Sequence, residues 1–115
     1  MSHDLQLKER QRIDEAIATL RIKFVDTLEE RILDIEALLQ YCRTAENRSR
    51  AFQEIARKAH NLAGVAPSLG FDAIGDAARE AEAIAGDASA SPASVVQRVE
   101  ALLDEMEVVL DQDAI

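Results

Sequence analysis

The sequence has no tryptophan, one tyrosine, three phenylalanines and a single cysteine. Because Cys42 is alone, an intrachain disulfide cannot form. No Cys-x-x-Cys or His-x-x-x-His spacing indicates a metal site. The chain also lacks a basic run and a cluster of aromatic side chains, the features that bind phosphate backbones and stack on bases. We therefore expect no metal and no cofactor on this chain, and neither nucleic acid nor an anionic membrane as a partner.

Glycine and proline are scarce, with four and two residues, and neither occurs before Gly64. Since these residues are the usual breaks between elements, long helices are expected in the first half. The 115 residues carry a net charge of −9 and contain no apolar run near the roughly 20 residues that span a bilayer. The first residues contain no basic stretch followed by an apolar one, as a signal peptide would. We expect one domain over residues 1–115, monomeric and cytoplasmic.

Apolar residues recur in steps of three or four, which predicts amphipathic helices. The first stripe comprises Ile13, Ile17, Leu20, Phe24, Leu28, Ile32, Ile35, Leu39 and Cys42. Residues 5–12 could form a short extra helix across the end of the bundle, with Asp14 as one candidate cap for the long helix that follows.

Three further helices are predicted. Asn47 can cap the second, and Pro67 should bend it or end it early, with Gly70 as the stop. A third stripe runs from Phe71 to Ala85, and Ser91-Pro92 is a typical start for the fourth. Short connections make neighbouring helices antiparallel. The expected fold is all-α, an up-and-down four-helix bundle.

His60 is the candidate functional residue. On a helical projection it lies about 100° from the centre of the apolar stripe of the second helix, just outside that stripe. Its neighbours one turn away are Ala56, Ala63 and Gly64, so no long apolar side chain should screen the ring. A neutral imidazole has a nucleophilic nitrogen that can accept a phosphoryl group, and His60 should be open to a partner that carries one.

Residues 60–71 read His-Asn-Leu-Ala-Gly-Val-Ala-Pro-Ser-Leu-Gly-Phe. This segment resembles the signature of the histidine-containing phosphotransfer (HPt) family, His-x-Leu-Lys-Gly-x-Ala/Ser, with glycine ten residues after the histidine and an apolar residue next. Identity and spacing match at Leu62, Gly64, Ala66, Gly70 and Phe71. The sequence departs from the family at Ala63, where most members have lysine.

The resemblance implies a four-helix bundle and a role in a His-Asp phosphorelay. His60 would accept a phosphoryl group on Nε2 and exchange it with an aspartate on a receiver domain, either of a response regulator or of a hybrid histidine kinase. The receiver would supply the Mg²⁺ ion and most of the catalytic groups. The chain is therefore expected to be a phosphocarrier rather than an enzyme.

The resemblance also suggests supporting residues. Glu82, 22 residues after the histidine, corresponds to a polar residue that orients the acceptor ring, although Asp76 and Glu80 are nearby competitors. Arg57 or Lys58 could replace the charge of the missing lysine, or both could be ordinary solvated bases.

Two more residues complete the expected site. Gln53 could border the docking surface, and Gly64 could let a receiver approach closely, unless it serves helix packing instead.

Two other interpretations remain open at this point. A docking module could have kept the bundle and bind a receiver or kinase without being phosphorylated, which the absence of lysine at Ala63 favours. A purely structural bundle could dimerise through a helix face.

Overall fold

The computed structural model describes residues 2–113, which form four helices: α1 (Ser2–Tyr41), α2 (Ala45–Ser68), α3 (Asp72–Ala85) and α4 (Pro92–Asp113). Each helix packs against the helices before and after it, and α1 also packs against α4. The helices α1 and α2 are antiparallel. Arg31 of α1 contacts Asn61 of α2, and Asp34, which comes later in α1, contacts Lys58, which comes earlier in α2. The predicted up-and-down four-helix bundle is confirmed.

The core is built from side chains of all four helices and contains no buried polar residue within the described part of the chain. Large aliphatic residues come from every helix, whereas α2 and α3 add several fully buried alanines. The largest wholly buried side chains are Leu28, Ile35, Ile55, Leu62, Ile74, Leu102, Met106, Val95 and Val99. Alanines bring helix axes closer together than leucines do, so α2 and α3 can approach closely.

Pro67 lies inside α2, so the early end expected just beyond His60 does not occur. The helix stops at Ser68, one residue after the proline. The amide of Phe71 then donates a hydrogen bond to the carbonyl of Ala66, 2.9 Å away. Gly70 adopts a φ of +88°, a left-handed conformation that favours glycine. The turn into α3 therefore depends on both Pro67 and Gly70.

The connection between α3 and α4 is held by its own polar side chains. The carboxylate of Asp87 accepts hydrogen bonds from the hydroxyl and the amide of Ser89, which favour the charged form and lower the pKa of Asp87. Ser91 Oγ accepts a hydrogen bond from the amide of Ser94 at 3.2 Å. Ser91 is thus the N-cap of α4, and Pro92 takes the first helical position, as predicted.

The expected separate helix at residues 5–12 does not form, because these residues belong to α1. No glycine or proline interrupts the segment, and Asp14 lies inside the helix rather than capping it. The start of the predicted stripe is also solvent-exposed: Ile13, Ile17 and Leu20 are 59%, 38% and 51% exposed. The physical reason is length, since the 40 residues of α1 far exceed the 22 residues of its neighbour α4.

Gly75 is a position that the sequence analysis did not single out. A Cβ atom at this residue would overlap the ring of Pro67, which a rigid pyrrolidine cannot relieve by rotating. We expect Gly75→Ala to lower the free energy of unfolding by about 1–3 kcal/mol, although alanine is the better helix former. Urea denaturation measures this change. An unaltered or increased free energy of unfolding would show that α2 and α3 can move apart enough to fit the methyl group at little cost in free energy.

Candidate functional site

His60 projects from the middle of α2 into solvent. Its side chain is 76% exposed, although the preceding residue, Ala59, is completely buried in the core. The helix therefore presents the ring on a rigid base while leaving it accessible. This placement agrees with the helical projection of the sequence, which put His60 just outside the apolar stripe.

The imidazole of His60 is paired with a carboxylate from α3. Its Nδ1 atom lies 2.6 Å from Oε2 of Glu82, a short distance typical of a charge-assisted hydrogen bond. The carboxylate of a charged glutamate can only accept, so in the neutral imidazole Nδ1 carries the proton and Nε2 keeps its lone pair. Within residues 2–113, no side chain or backbone group forms a hydrogen bond with Nε2. The pair thus leaves the outward-facing nitrogen free to act as a nucleophile.

The two competing acids on α3 lie elsewhere. Glu80 Oε2 is 3.1 Å from a guanidinium nitrogen of Arg98 on α4, and Asp76 pairs with Arg79 one turn along its own helix. Of the three acids, the structure therefore brings Glu82 to the histidine ring.

The basic residues proposed in place of the missing lysine have other partners. A guanidinium nitrogen of Arg57 lies 3.0 Å from Glu54 one turn earlier, and the Arg57 side chain is 77% exposed. The ammonium of Lys58 lies 3.8 Å from Asp34 on α1. Both pairs are solvated, so little free energy holds either base in its present position.

Arg31 is a basic group near the site that the sequence analysis missed. It reaches from α1 to Asn61, the residue after His60, and donates a 3.1 Å hydrogen bond to its side-chain oxygen. Thr27 accepts a second hydrogen bond at 2.9 Å, and the guanidinium lies over the ring of Phe24. Since the contact joins residues 30 positions apart, helical spacing carried no signal for it.

Gln53 and Gly64 lie on the exposed surface on either side of His60. Gln53 lines a groove between α2 and the α3–α4 connection, together with Phe52, Ala56 and small residues between 85 and 90. A Cβ atom at Gly64 would meet no atom within 4 Å. Packing within the described chain therefore gives no reason for glycine at this position.

No set of three or more histidine, cysteine, aspartate or glutamate side chains is arranged to hold a metal ion among residues 2–113.

None of the four helices is long and apolar enough to cross a membrane, over the residues that the structure describes.

The chain matches a known family. The family model described as Hpt domain matches residues 19–112, which include α2 and α3, α4 up to its last residue, and α1 from residue 19 onward, and so most of the chain. Searches of curated proteins and of solved structures gave no match. The match begins within α1, so the first part of that helix, including Ile13 and Ile17, lies outside it.

Proposed function

Because the chain belongs to the Hpt domain family, the phosphotransfer modules of His-Asp phosphorelays, we propose that it carries a phosphoryl group on Nε2 of His60 between receiver domains. The observation that supports this assignment most directly is the 2.6 Å contact between Nδ1 of His60 and the Glu82 carboxylate. An exposed histidine without such a partner would have both tautomers available and no fixed ring orientation.

The proposed chemistry needs only one bond made and one broken. The lone pair of Nε2 attacks the phosphorus of an aspartyl phosphate on the receiver. The bond between phosphorus and the aspartyl oxygen breaks, and its electron pair returns to the aspartate as a carboxylate. The imidazole becomes positively charged as it forms the bond, and the Glu82 carboxylate beside Nδ1 stabilises that charge. Onward transfer reverses these steps on a second receiver.

Catalysis is assigned mainly to the receiver. This chain would contribute an oriented nucleophile, while the receiver would contribute the acidic residues and the Mg²⁺ ion that neutralise the transferring phosphoryl group. Arg57, whose side chain is largely exposed, could leave Glu54 and turn towards the phosphoryl group in the complex. A role as a phosphocarrier for receiver domains would also place the protein in the cytoplasm, together with those receivers.

Gly64 would act by leaving space. It is exposed, one turn beyond His60, and has no neighbour that restricts a side chain there. A receiver must bring its aspartyl phosphate within bonding distance of Nε2, so its backbone has to pass close to α2. The groove beside Gln53 would extend the contact surface in the other direction along the same helix.

A docking module that is never phosphorylated is the second candidate, and Ala63 is the observation that favours it. Because this position has no lysine, the basic side chain that would contact the phosphoryl group in most family members is missing. Such a module would bind receivers through the same surface and regulate them by occupancy.

Transfer of label from a phosphorylated receiver to the purified protein separates the two candidates. Receivers from the same organism are labelled with radioactive phosphate, mixed with this protein, and the products are resolved by electrophoresis. Label that is stable in base and lost in acid marks a phosphoramidate and supports the carrier. Tight receiver binding without any label on this chain would support the docking module instead.

Gly64→Ala should affect stability and transfer in opposite directions. Alanine is a better helix former and meets no neighbour, so the free energy of unfolding should rise by about 0.5–1 kcal/mol. The added methyl group beside His60 should slow transfer by holding the receiver away. Urea denaturation and the initial rate of labelling measure the two effects. Unchanged transfer would remove the role in docking that we assign to Gly64.

A further inference from the structure

The first 22 residues that the structure describes form a helical arm beyond the bundle. Every side chain from Ser2 to Lys23 is exposed, and the first buried residue of α1 is Phe24. At 1.5 Å per residue, the arm is about 33 Å long, against a longest dimension of 64 Å for the molecule. Helices of this kind owe most of their stability to packing, which the isolated chain does not provide for the arm.

One face of the arm is apolar. Ile13, Ala16, Ile17 and Leu20 fall within about 100° of one another on a helical projection, and they continue the line of Phe24, which is buried in the bundle. Ile22 lies about 180° from Ile13, on the opposite face. The arm thus has the pattern of a core-facing helix that no other helix among residues 2–113 covers.

The distribution of charge favours a second copy of the chain as the occupant of this face. Residues 2–23 contain five basic and four acidic residues, a formal charge of +1, whereas the remaining eight basic and eighteen acidic residues give −10. A second copy of the chain would be repelled by most of the molecular surface but not by the arm. We propose that the arms of two copies pair through Ile13, Ile17 and Leu20 to form an antiparallel homodimer.

Antiparallel pairing follows from the same charges. A parallel pair would set two bundles of charge −10 side by side, whereas an antiparallel pair separates them by the length of the arms. Lys8, Arg10 and Arg12 of one arm would then lie near the end of the other bundle. At this end of the bundle, Val109 of α4 and the α1 residues Ile22 and Val25 line one shallow depression. Two exposed acids, Asp26 and Asp111, are close to these residues in the sequence and therefore lie at the same end.

The dimer would leave the candidate site open. His60 precedes Asn61, which contacts Arg31 of α1, and Arg31 is ten residues along α1 from Arg21, which lies over Phe71 at the end of the bundle where the arm departs. A receiver could therefore approach each His60 independently of the other. The sequence analysis predicted a monomer, so the oligomeric state in solution decides between that prediction and this proposal.

Sedimentation velocity on the full chain tests the pairing. At about 100 μM, where weak self-association is visible, we expect wild type and Gln11→Lys, a variant on the face opposite Ile13, to have twice the 12.6 kDa chain mass. Ile17→Lys should sediment at the single-chain mass, and its helix content by circular dichroism should fall by no more than the unpaired arm contributes. A monomeric wild type, or equal effects of the two lysine variants, would overturn the proposal.

Disulfide trapping tests the direction. In a Cys42→Ser background, one protein carries Gln6→Cys near the free end of the arm and another carries Lys23→Cys at its root. Antiparallel pairing predicts that the mixture oxidises mainly to the mixed disulfide. Predominant Gln6→Cys homodimers would show parallel pairing and contradict the arrangement. Neither result depends on phosphotransfer, so the proposed function and the dimer can fail separately.

Discussion

Replacing His60 by glutamine is expected to abolish labelling by a phosphorylated receiver, with a loss of at least about 100-fold in the transfer rate. Glutamine keeps a polar side chain of similar length but has no nitrogen lone pair that can form a bond to phosphorus. The His60 side chain is 76% exposed, so the free energy of unfolding should change by no more than about 0.5 kcal/mol. The measurement is the initial rate of label transfer, with urea denaturation alongside.

The chain provides a matched control, because it contains one other histidine. His3 lies in the exposed arm, outside the residues matched by the family. His3→Gln should accept label at the wild-type rate. Retained labelling of His60→Gln, or loss of labelling in His3→Gln, would show that the acceptor is not His60.

The second large effect is expected at Glu82. Glu82→Ala removes the acceptor that holds the Nδ1 proton and the negative charge that stabilises the imidazolium. A hydrogen bond to a charged group contributes about 1.5–3 kcal/mol, and the exposure of His60 favours the lower end of that range. We therefore expect transfer to slow about tenfold. Glu82→Gln should slow it less, because its amide oxygen can still accept from Nδ1 while the charge is lost.

Glu80→Ala is the control for this experiment. Glu80 is an exposed acid on the same helix, but its carboxylate pairs with Arg98 rather than with His60. Its removal should leave the transfer rate unchanged. This control distinguishes a general effect of negative charge on α3 from the specific effect of the pair between Glu82 and His60. Equal rates for wild type and Glu82→Ala would mean that the contact with Nδ1 does not contribute to transfer.

Much of the fold could be predicted because local signals agreed with one another. The three- and four-residue spacing of apolar side chains gave the helices, and Pro67, Gly70 and Ser91-Pro92 marked their ends. The exposed fraction of the first stripe could not be predicted in this way. Periodicity reports which face of a helix is apolar, whereas burial depends on whether a neighbouring helix is long enough to cover it.

The candidate site was predictable to the extent that it follows from spacing along the chain. His60 and Glu82 are 22 residues apart, and the resemblance to a family supplied the expectation that they would meet. Arg31 and Gly75 had no such support. The contact between Arg31 and Asn61 and the fit of Gly75 under Pro67 both depend on how two helices are aligned, which no single helix encodes.

The buried alanines of α2 and α3 are positions at which mutations would disrupt signalling without changing His60 or Glu82. Ala59, Ala66, Ala78 and Ala81 have almost no exposed surface, so a larger side chain at any of them would push its helix outward. Because His60 and Glu82 stand on different helices, an outward shift of an ångström or two would break their hydrogen bond. A genetic screen for defective relays should therefore recover alleles at these alanines, in proteins that still fold and keep both polar residues.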